Sequence, residues 1–379
     1  MANGSPKVPT FLYGTLRDDV LRTRLVGRPV TGIPAYINDF RVLSQRGGPI
    51  PALVPAKEHR ADGILVTDLT DAERAKLDVY ENAFDYDQHI LPVMAGGHVV
   101  DARVYLPGSA VALSGAPWDL AEWQAERGAL SRERAVEIGE ADPPYDSATL
   151  RQRWHMIGSR AAARLRAAED TTPSDVRYTA KPEDVEVFAR RPLLGDFFKF
   201  RKFDLRHRTF QNTTSPELER EVMIGVDAAL VLPYDPVSDC VLLVEQLRTG
   251  PLMRGTPNPW SLEPVAGMID PGETPEAAAL RETAEEAGLT DVTLDKMFAC
   301  YATPGASTDY FYCYLALGSL PTPTTYTGGL AEENEDLRLH VLPFTKAMEL
   351  IDTGEANVGP LITMLLWLAR HRDRLREVA

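Results

Sequence analysis

The chain has 379 residues, more than one hydrophobic core usually serves, so two domains are expected. Its 44% hydrophobic and 25% charged content is that of an ordinary globular protein. A formal net charge of −15 repels nucleic-acid backbone and anionic lipid, so neither nucleic acid nor membrane is expected as a partner.

The start, MANGSPKVPT, has no apolar signal region, and no later stretch approaches a membrane-spanning run, so a cytoplasmic location is expected. Phe11–Leu16, Ile64–Val66, Ile90–Val93 and His98–Val104 are predicted strands, with turns at Gly47-Gly48 and Gly96-Gly97. Asp71–Tyr80 has helical periodicity through Ala72, Ala75, Leu77 and Val79. From Trp118 to about Ala168 the composition turns to Ala, Glu and Arg, which predicts helices broken at Asp142-Pro143-Pro144. Glu169–Pro173 reads as a linker and places a domain boundary. Strands follow at Val185–Ala189, Phe197–Asp204, Ala228–Leu232 and Val241–Glu245. A helix is predicted over Pro275–Ala287, strands over Lys296–Ala302 and Tyr310–Leu317, and helices over Phe344–Thr353 and Pro360–Arg370. The whole is mixed α/β without internal repeats. Cys240, Cys300 and Cys313 have neither CxxC nor Cys/His spacing, which argues against a disulfide framework or a zinc site.

The helix at 275–287 carries the clearest chemistry. Thr274 is a good N-cap, Pro275 suits the first helical position, and Gly288 suits the position after the last turn. Glu282, Glu285 and Glu286 stand at i, i+3 and i+4, within an arc of roughly 100°. Like charges so placed repel, and a hard cation that takes oxygen ligands relieves the repulsion. Glu273, in the preceding loop, is placed to pair with Arg281. Ala277, Ala278 and Leu280 are expected to face the core. Three glutamates alone would most simply be a solvated acidic face. With Gly267, Glu273, Arg281 and Gly288 added, the pattern matches by chance with a probability of roughly 10⁻⁹ per start position.

This text resembles the Nudix box, Gly-x5-Glu-x7-Arg-Glu-U-x-Glu-Glu-x-Gly-U, where U is a bulky aliphatic residue. Thr283, at the first U position, is the one departure. The flanking stretches Ser261–Gly267, Glu245–Arg248, Thr303–Thr308 and Glu332–Asp336 resemble the ADP-ribose pyrophosphatases from about Asp184 onward. The resemblance implies Mg²⁺ as cofactor, two or three ions with Mn²⁺ as a substitute, and hydrolysis of ADP-ribose to AMP and ribose 5-phosphate. It implies the Ala266 carbonyl, Glu282, Glu286 and Glu335 as metal ligands, with Glu285 as ligand or support and Arg281 in the catalytic cluster. Glu333 would orient or deprotonate the attacking water. Arg248 and Arg220 would contact diphosphate or ribose, and Phe197 would stack on adenine, including in a neighbouring subunit's site of a homodimer. Arg220 has the alternative of a surface ion pair and Phe197 that of plain core. Asp309 stands where the resembling enzymes often have Glu.

Near the amino terminus, Tyr13-Gly14-Thr15-Leu16 follows a strand, and Leu77-Asp78-Val79-Tyr80-Glu81 and Tyr86 come later. These resemble the γ-glutamylcyclotransferase-like fold, a small β-barrel with helices. In that family the Tyr13–Leu16 loop would bind a γ-glutamyl group and Glu81 would act as general base. Gln88 stands where a basic residue often follows the tyrosine. The alternative is a binding or assembly module. The expected organisation is thus a γ-glutamylcyclotransferase-like barrel over 8–120, a helical connector over 121–175 and a Nudix α/β/α sandwich over 176–379. That order also resembles bacterial tellurite-resistance proteins. The leading expectation is an ADP-ribose diphosphatase acting on a nucleotide-sugar substrate. The alternatives are an ADP-ribose-binding regulator with an inert Nudix fold and a bifunctional enzyme with an active cyclotransferase.

Overall fold

The computed structural model describes residues 8–46, 48–169, 171, 173–322, 324–329 and 335–377. By its internal contacts the chain divides into two compact units, Met1–Arg220 and Glu221–Ala379.

The first unit begins with β1 (Thr10–Leu12), a 3-10 turn (Thr15–Arg17) and α1 (Asp19–Val26). There follow β2 (Ile33–Gln45), β3 (Gly48–Val66), α2 (Asp71–Asn82), β4 (Tyr86–Ala95), β5 (His98–Pro107) and β6 (Leu113–Pro117). Five strands close into a barrel in the order β3-β1-β5-β4-β2, with β2 pairing back to β3 and β6 added beside β2. Closure satisfies the ladder hydrogen bonds that an open sheet leaves at its edges. Strand alternation sorts the core. Phe11 points into the barrel with Ile37, Leu53, Val93 and Val104. Its neighbour Leu12 joins a second cluster with Leu16, Leu21, Leu77, Trp123 and Leu150.

The strand expected over Phe11–Leu16 stops at Leu12, because Gly14 starts a tight turn. The Arg17 N–H donates to the Gly14 carbonyl at 3.0 Å. A Cβ on Gly14 would lie 2.6 Å from Pro51 Cγ, so only glycine fits there. The long β2–β3 hairpin was legible only at its end, Ile64–Val66. Its middle, around Asn38–Asp39 and Lys57–Arg60, is exposed, so no alternation of polar and apolar residues marks it. The turn expected at Gly47-Gly48 has Gly47 outside the described residues. Helix α2 buries Arg74, Leu77 and Tyr80, not Ala72 and Ala75, which are exposed.

The helices expected after Trp118 are α3 (Leu120–Trp123), a π turn (Gln124–Gly128), α4 (Ala129–Glu140) and α5 (Ser147–Ala168). The prolines at 143 and 144 lie in the break, and Asp146 caps α5 by accepting the Thr149 N–H at 2.7 Å. Next come a 3-10 turn (Pro182–Asp184) and β7 (Val185–Arg190) paired antiparallel with β8 (Lys199–His207). Contacts group this segment with the first unit. Arg201 pairs with Glu140 of α4, the Leu193 N–H donates to the Glu140 carbonyl at 3.2 Å, and Arg160 of α5 donates to the Phe197 carbonyl at 3.3 Å. Strand β9 (Leu218–Ile224) carries the chain from one unit to the next.

The second unit contains β10 (Asp227–Asp235), β11 (Cys240–Leu247), α6 (Thr249–Arg254), β12 (Trp260–Glu263), β13 (Val265–Met268) and α7 (Pro275–Ala287). It continues with β14 (Thr293–Tyr301), β15 (Tyr310–Leu317), β16 (Thr324–Gly328), β17 (Leu337–Pro343), α8 (Phe344–Thr353) and α9 (Gly359–Glu377). The sheet runs β14-β15-β10-β11-β17-β16, with β13 on β10 and β12 on β11. Its central strands are apolar on both faces, as a covered sheet requires. Ala229, Val231, Leu242 and Val244 pack toward Ala278 and Ala279 of α7. Leu230, Leu232, Val241 and Leu243 pack toward Phe344 and Leu350 of α8 and Leu361 and Leu365 of α9. This is the expected α/β/α sandwich. No helix among the described residues is long and apolar enough to cross a membrane.

One buried ion pair ties the helical extension together. Arg160 donates through Nε and Nη2 to Glu137 at 2.8 and 2.6 Å, and both side chains are almost fully enclosed. Tyr145 adds a hydrogen bond to Glu137 at 3.1 Å. Removing one partner leaves an uncompensated buried charge. Arg160→Met is therefore expected to destabilise the chain by about 3–5 kcal/mol in urea unfolding followed by tryptophan fluorescence. Pairing it with Glu137→Leu should recover most of that loss; a double variant no more stable than the single one contradicts this account.

Candidate functional site

In the second unit the site is built where α7 crosses β13. Helix α7 has the predicted ends: the Thr274 side chain accepts the Ala277 N–H, Pro275 sits in the first turn, and Gly288 takes a left-handed conformation at φ 70°. The buried face is Ala278, Ala279, Thr283, Glu286 and Ala287, while Ala277 and Leu280 are exposed. The expected core face is thus rotated, because Glu286 itself turns inward. Thr283 fits its aliphatic position by donating its hydroxyl to the Ala279 carbonyl at 2.6 Å, which satisfies the one polar atom it buries.

Arg281 is the hub. It donates to both Glu273 oxygens at 3.0 Å, to Glu282 at 2.6 Å, to Glu285 at 3.0 Å and to the Met268 carbonyl at 3.1 Å. Loop, strand and helix are fixed by one guanidinium. Glu273 also accepts the Asp270 N–H at 3.1 Å. A Cβ built on Gly267 would overlap the Glu282 carboxylate, which explains the glycine that opens the motif. Glu286 is 3% exposed and accepts the Ala266 N–H at 3.2 Å. Burial pushes its pKa up to about 8, and the charges of Glu335 and Glu282 push the same way. Burial likewise raises Glu282.

Arg248 forms a two-pronged pair with Glu263, Nε to Oε1 at 2.9 Å and Nη2 to Oε2 at 2.6 Å. Its charge acts on Glu286, and those of Glu286 and Glu335 act on it. Glu263 was not singled out from sequence; the signal was its place on β12 beside β11, the strand that leads to Arg248. Asp309 accepts the Val226 N–H at 3.3 Å and fills the space beside Gly225, a structural role. Phe197 and Arg220 belong to the first unit. Phe197 is 44% exposed rather than core and packs edge-on to Phe198 at 5.1 Å. Arg220 is exposed and donates to the Glu219 carbonyl. Glu333 lies outside the described residues. Among the described residues no three acidic, histidine or cysteine side chains converge as a ready metal cluster. Arg281 holds Glu282 and Glu285 from one side. The donor set still fits a hard cation: it is all oxygen, partly desolvated and mutually repulsive.

The first unit holds a cavity of about 310 Å³. Tyr13, Gly14, Thr15 and Leu16 line it together with Glu81, so the structure brings these expected residues together. Tyr13 is anchored by donating to the Tyr105 carbonyl at 2.7 Å. Tyr86 donates to the Pro51 carbonyl at 2.6 Å and accepts from Gln45 at 2.6 Å. Glu81 sits in this aromatic setting, and burial, with Asp78 second, pushes its carboxyl up to about 8. Gln88 instead receives a hydrogen bond from Arg103, which also pairs with Asp78 at 3.2 Å. Arg127, Arg134 and Trp154 also line the cavity and were missed from sequence, since they lie in helices read as a connector.

Comparison with known proteins matches both units. The family described as "Gamma-glutamyl cyclotransferase, AIG2-like" matches residues 10–125, and "NUDIX domain" matches residues 225–363. An ADP-ribose pyrophosphatase of Escherichia coli is 36% identical over 207 residues, covering 54% of this chain and 97% of that protein. One from Haemophilus influenzae is 32% identical over 207 residues, covering 54% of this chain and 94% of its own length. A GDP-mannose pyrophosphatase of Yersinia enterocolitica is 31% identical over 189 residues, covering 49% and 96%.

The Glu81 shift has a stability consequence. The folded chain holds this proton up to about pH 8, whereas an unfolded glutamate releases it near pH ~4.3. Between those values the folded state binds the extra proton, so this group's contribution to stability falls as pH rises through the window. Glu81→Gln removes the titration. Its melting temperature relative to the unaltered protein should rise from about pH 5 to about pH 8 and level off above. Scanning calorimetry finding a constant difference across that range would contradict the assignment.

Proposed function

As the chain belongs to the Nudix hydrolase family, with a γ-glutamylcyclotransferase-like domain ahead of its Nudix domain, we propose that the second unit hydrolyses ADP-ribose to AMP and ribose 5-phosphate. The observation that carries this reading is the buried Glu286 beside Glu282, held over β13 by Gly267 and Arg281. An inert binding module has no need of such a costly cluster of like charges, and this one keeps all its glutamates. The Ala266 carbonyl, Glu282, Glu286 and Glu335 would hold Mg²⁺, or Mn²⁺ in its place, which supplies neutralisation of diphosphate charge and activation of water.

The chain's own residues do the rest. Glu263 occupies Nε and Nη2 of Arg248 and so aims the guanidinium, whose Nη1 makes no hydrogen bond among the described residues and serves the diphosphate or ribose. Arg281 keeps Glu285 and Glu282 in register with the loop. Glu333 takes the proton of the attacking water. Arg220 and Phe197 are assigned to ribose or diphosphate and to adenine. A homodimer is part of this reading: Phe188, Phe197, Phe198, Phe200 and Phe210 are all exposed in one stretch of chain, surface that a second copy would cover.

A second reading concerns the first unit. Glu81, buried in a cavity lined by Tyr13–Leu16 with its carboxyl pushed up to about 8, suits a general base once pH approaches that value. On a γ-glutamyl compound the α-amine would attack the γ-carbonyl, forming the ring C–N bond, while the old amide C–N bond breaks. Glu81 takes the amine proton and the departing amine receives one.

Glu286→Gln should lower kcat/KM for ADP-ribose at saturating Mg²⁺ by more than the ~10–100-fold typical of outer-shell groups. Gly267→Ala, which displaces Glu282, should cost about 100-fold with the fold retained. Near-unaltered hydrolysis in Glu286→Gln sinks the metal assignment, and a faster turnover of GDP-mannose than of ADP-ribose sinks the substrate. For the first unit, 5-oxoproline released from γ-glutamyl dipeptides should vanish in Glu81→Gln; absence of product from the unaltered protein removes that activity.

A further inference from the structure

The cavity of the first unit has a wall that the matched cyclotransferase segment does not supply. That segment ends at residue 125, whereas Arg127, Arg134 and Trp154 come from the π turn, α4 and α5. Arg134 lies over the Trp154 ring, 4.5 Å from guanidinium carbon to centroid. Trp154 is in turn locked edge-on against Phe84 at 4.7 Å and Tyr80 at 6.2 Å. The guanidinium is therefore held in one place by rigid aromatic neighbours.

Apart from the Trp154 face, nothing among the described residues answers its charge. The Arg134 Nε is buried without a hydrogen-bond partner, and no acid pairs with it among the described residues. Arg103 and Arg153 also bury an Nε without a hydrogen bond, but each has an acid, Asp78 and Asp196, and Arg160 has Glu137. Arg134 is half-buried, and desolvation disfavours its charged form; such a cation without a counter-charge beside a cavity marks where an anion belongs. Arg127 adds a second positive charge on the same wall, and its charge adds to desolvation in disfavouring the charged form of Arg134. Glu81 does not balance them. It keeps its proton up to about pH 8, and the neighbouring charge that acts on it is Asp78. At neutral pH the lining is thus cationic, within a chain whose formal net charge is −15.

We infer that this cavity takes a small amino-acid conjugate whose distal part is an aromatic or apolar body ending in a carboxylate, and that the helical extension reads this carboxylate through Arg134, with Arg127 beside it. A planar guanidinium matches a carboxylate in two-pronged geometry. The aromatic wall of Trp123, Trp154 and Phe84 suits the body that carries it. The γ-glutamyl end of such a ligand rests on the cyclotransferase reading above. The carboxylate end rests on Arg134 alone.

Two matched ligand pairs test this on the full chain by titration calorimetry. They are γ-glutamylphenylalanine against γ-glutamylphenethylamine, and N-acetylphenylalanine against N-acetylphenethylamine; each pair differs only in the carboxylate. The carboxylate-bearing member of each pair should bind roughly ten-fold or more tightly. Arg134→Met should abolish the advantage, and Arg134→Lys should keep part of it. Equal affinity within both pairs, no binding of any of the four, or an advantage undiminished in Arg134→Met overturns the inference. The comparison within pairs uses the unaltered protein, so a variant that fails to fold does not leave the question open. A carboxylate advantage without 5-oxoproline formation upholds this inference while ending the cyclotransferase reading.

Discussion

A single guanidinium organises the second unit. Glu282, Glu285 and Glu286 crowd one turn of α7, an arrangement that isolated helices resist. Arg281 offsets part of that repulsion and at the same time binds Glu273 and the Met268 carbonyl, so the loop before the helix and the strand beneath it are drawn to the same point. The rest of the site follows from that anchoring. Gly267 must lack a side chain because Glu282 occupies its space, and Glu286 must turn inward because the strand N–H of Ala266 waits there.

The two units use one physical device for different ends. Each buries a carboxyl until its pKa rises to about 8. Around Glu286 the neighbours are further carboxylates, so the site as built calls for a cation. Around Glu81 the neighbours are tyrosines and apolar walls, with Asp78 the charge that acts on it, so the group calls for a proton to exchange. Burial supplies the shift in both cases; the company the carboxyl keeps decides its chemistry.

Much of the second site was legible because its signals are local. Caps, a proline, a glycine and glutamates at helical spacing all lie within one short stretch, and α7 has the ends they predict. What local reading missed depends on partners far away in sequence. The core face of α7 turned out to include Ala279 and Thr283 rather than Ala277 and Leu280, since the inward turn of Glu286 sets the rotation. Barrel closure was hidden in a hairpin whose middle is polar on both sides. The pairing of Arg248 with Glu263 needs β12 to lie beside β11, and the exposed position of Phe197 is set by packing of its own segment. Arg134 looked like one more charged residue in an Ala-, Glu- and Arg-rich helix, and only the fold reveals that it faces a cavity.

The seam between the units has a consequence for where the chain can be divided. The pyrophosphatase relatives match over 207 residues, more than Glu221–Ala379 contains, so the match extends into the first unit. There the β7–β8 segment is fastened to α4 and α5 through Glu140 and Arg160. Sequence match and packing therefore draw their borders in different places. A cut at Glu221 divides the matched stretch, and a cut ahead of β7 strips α4 and α5 of the partners of Glu140 and Arg160, so no single cut respects both borders.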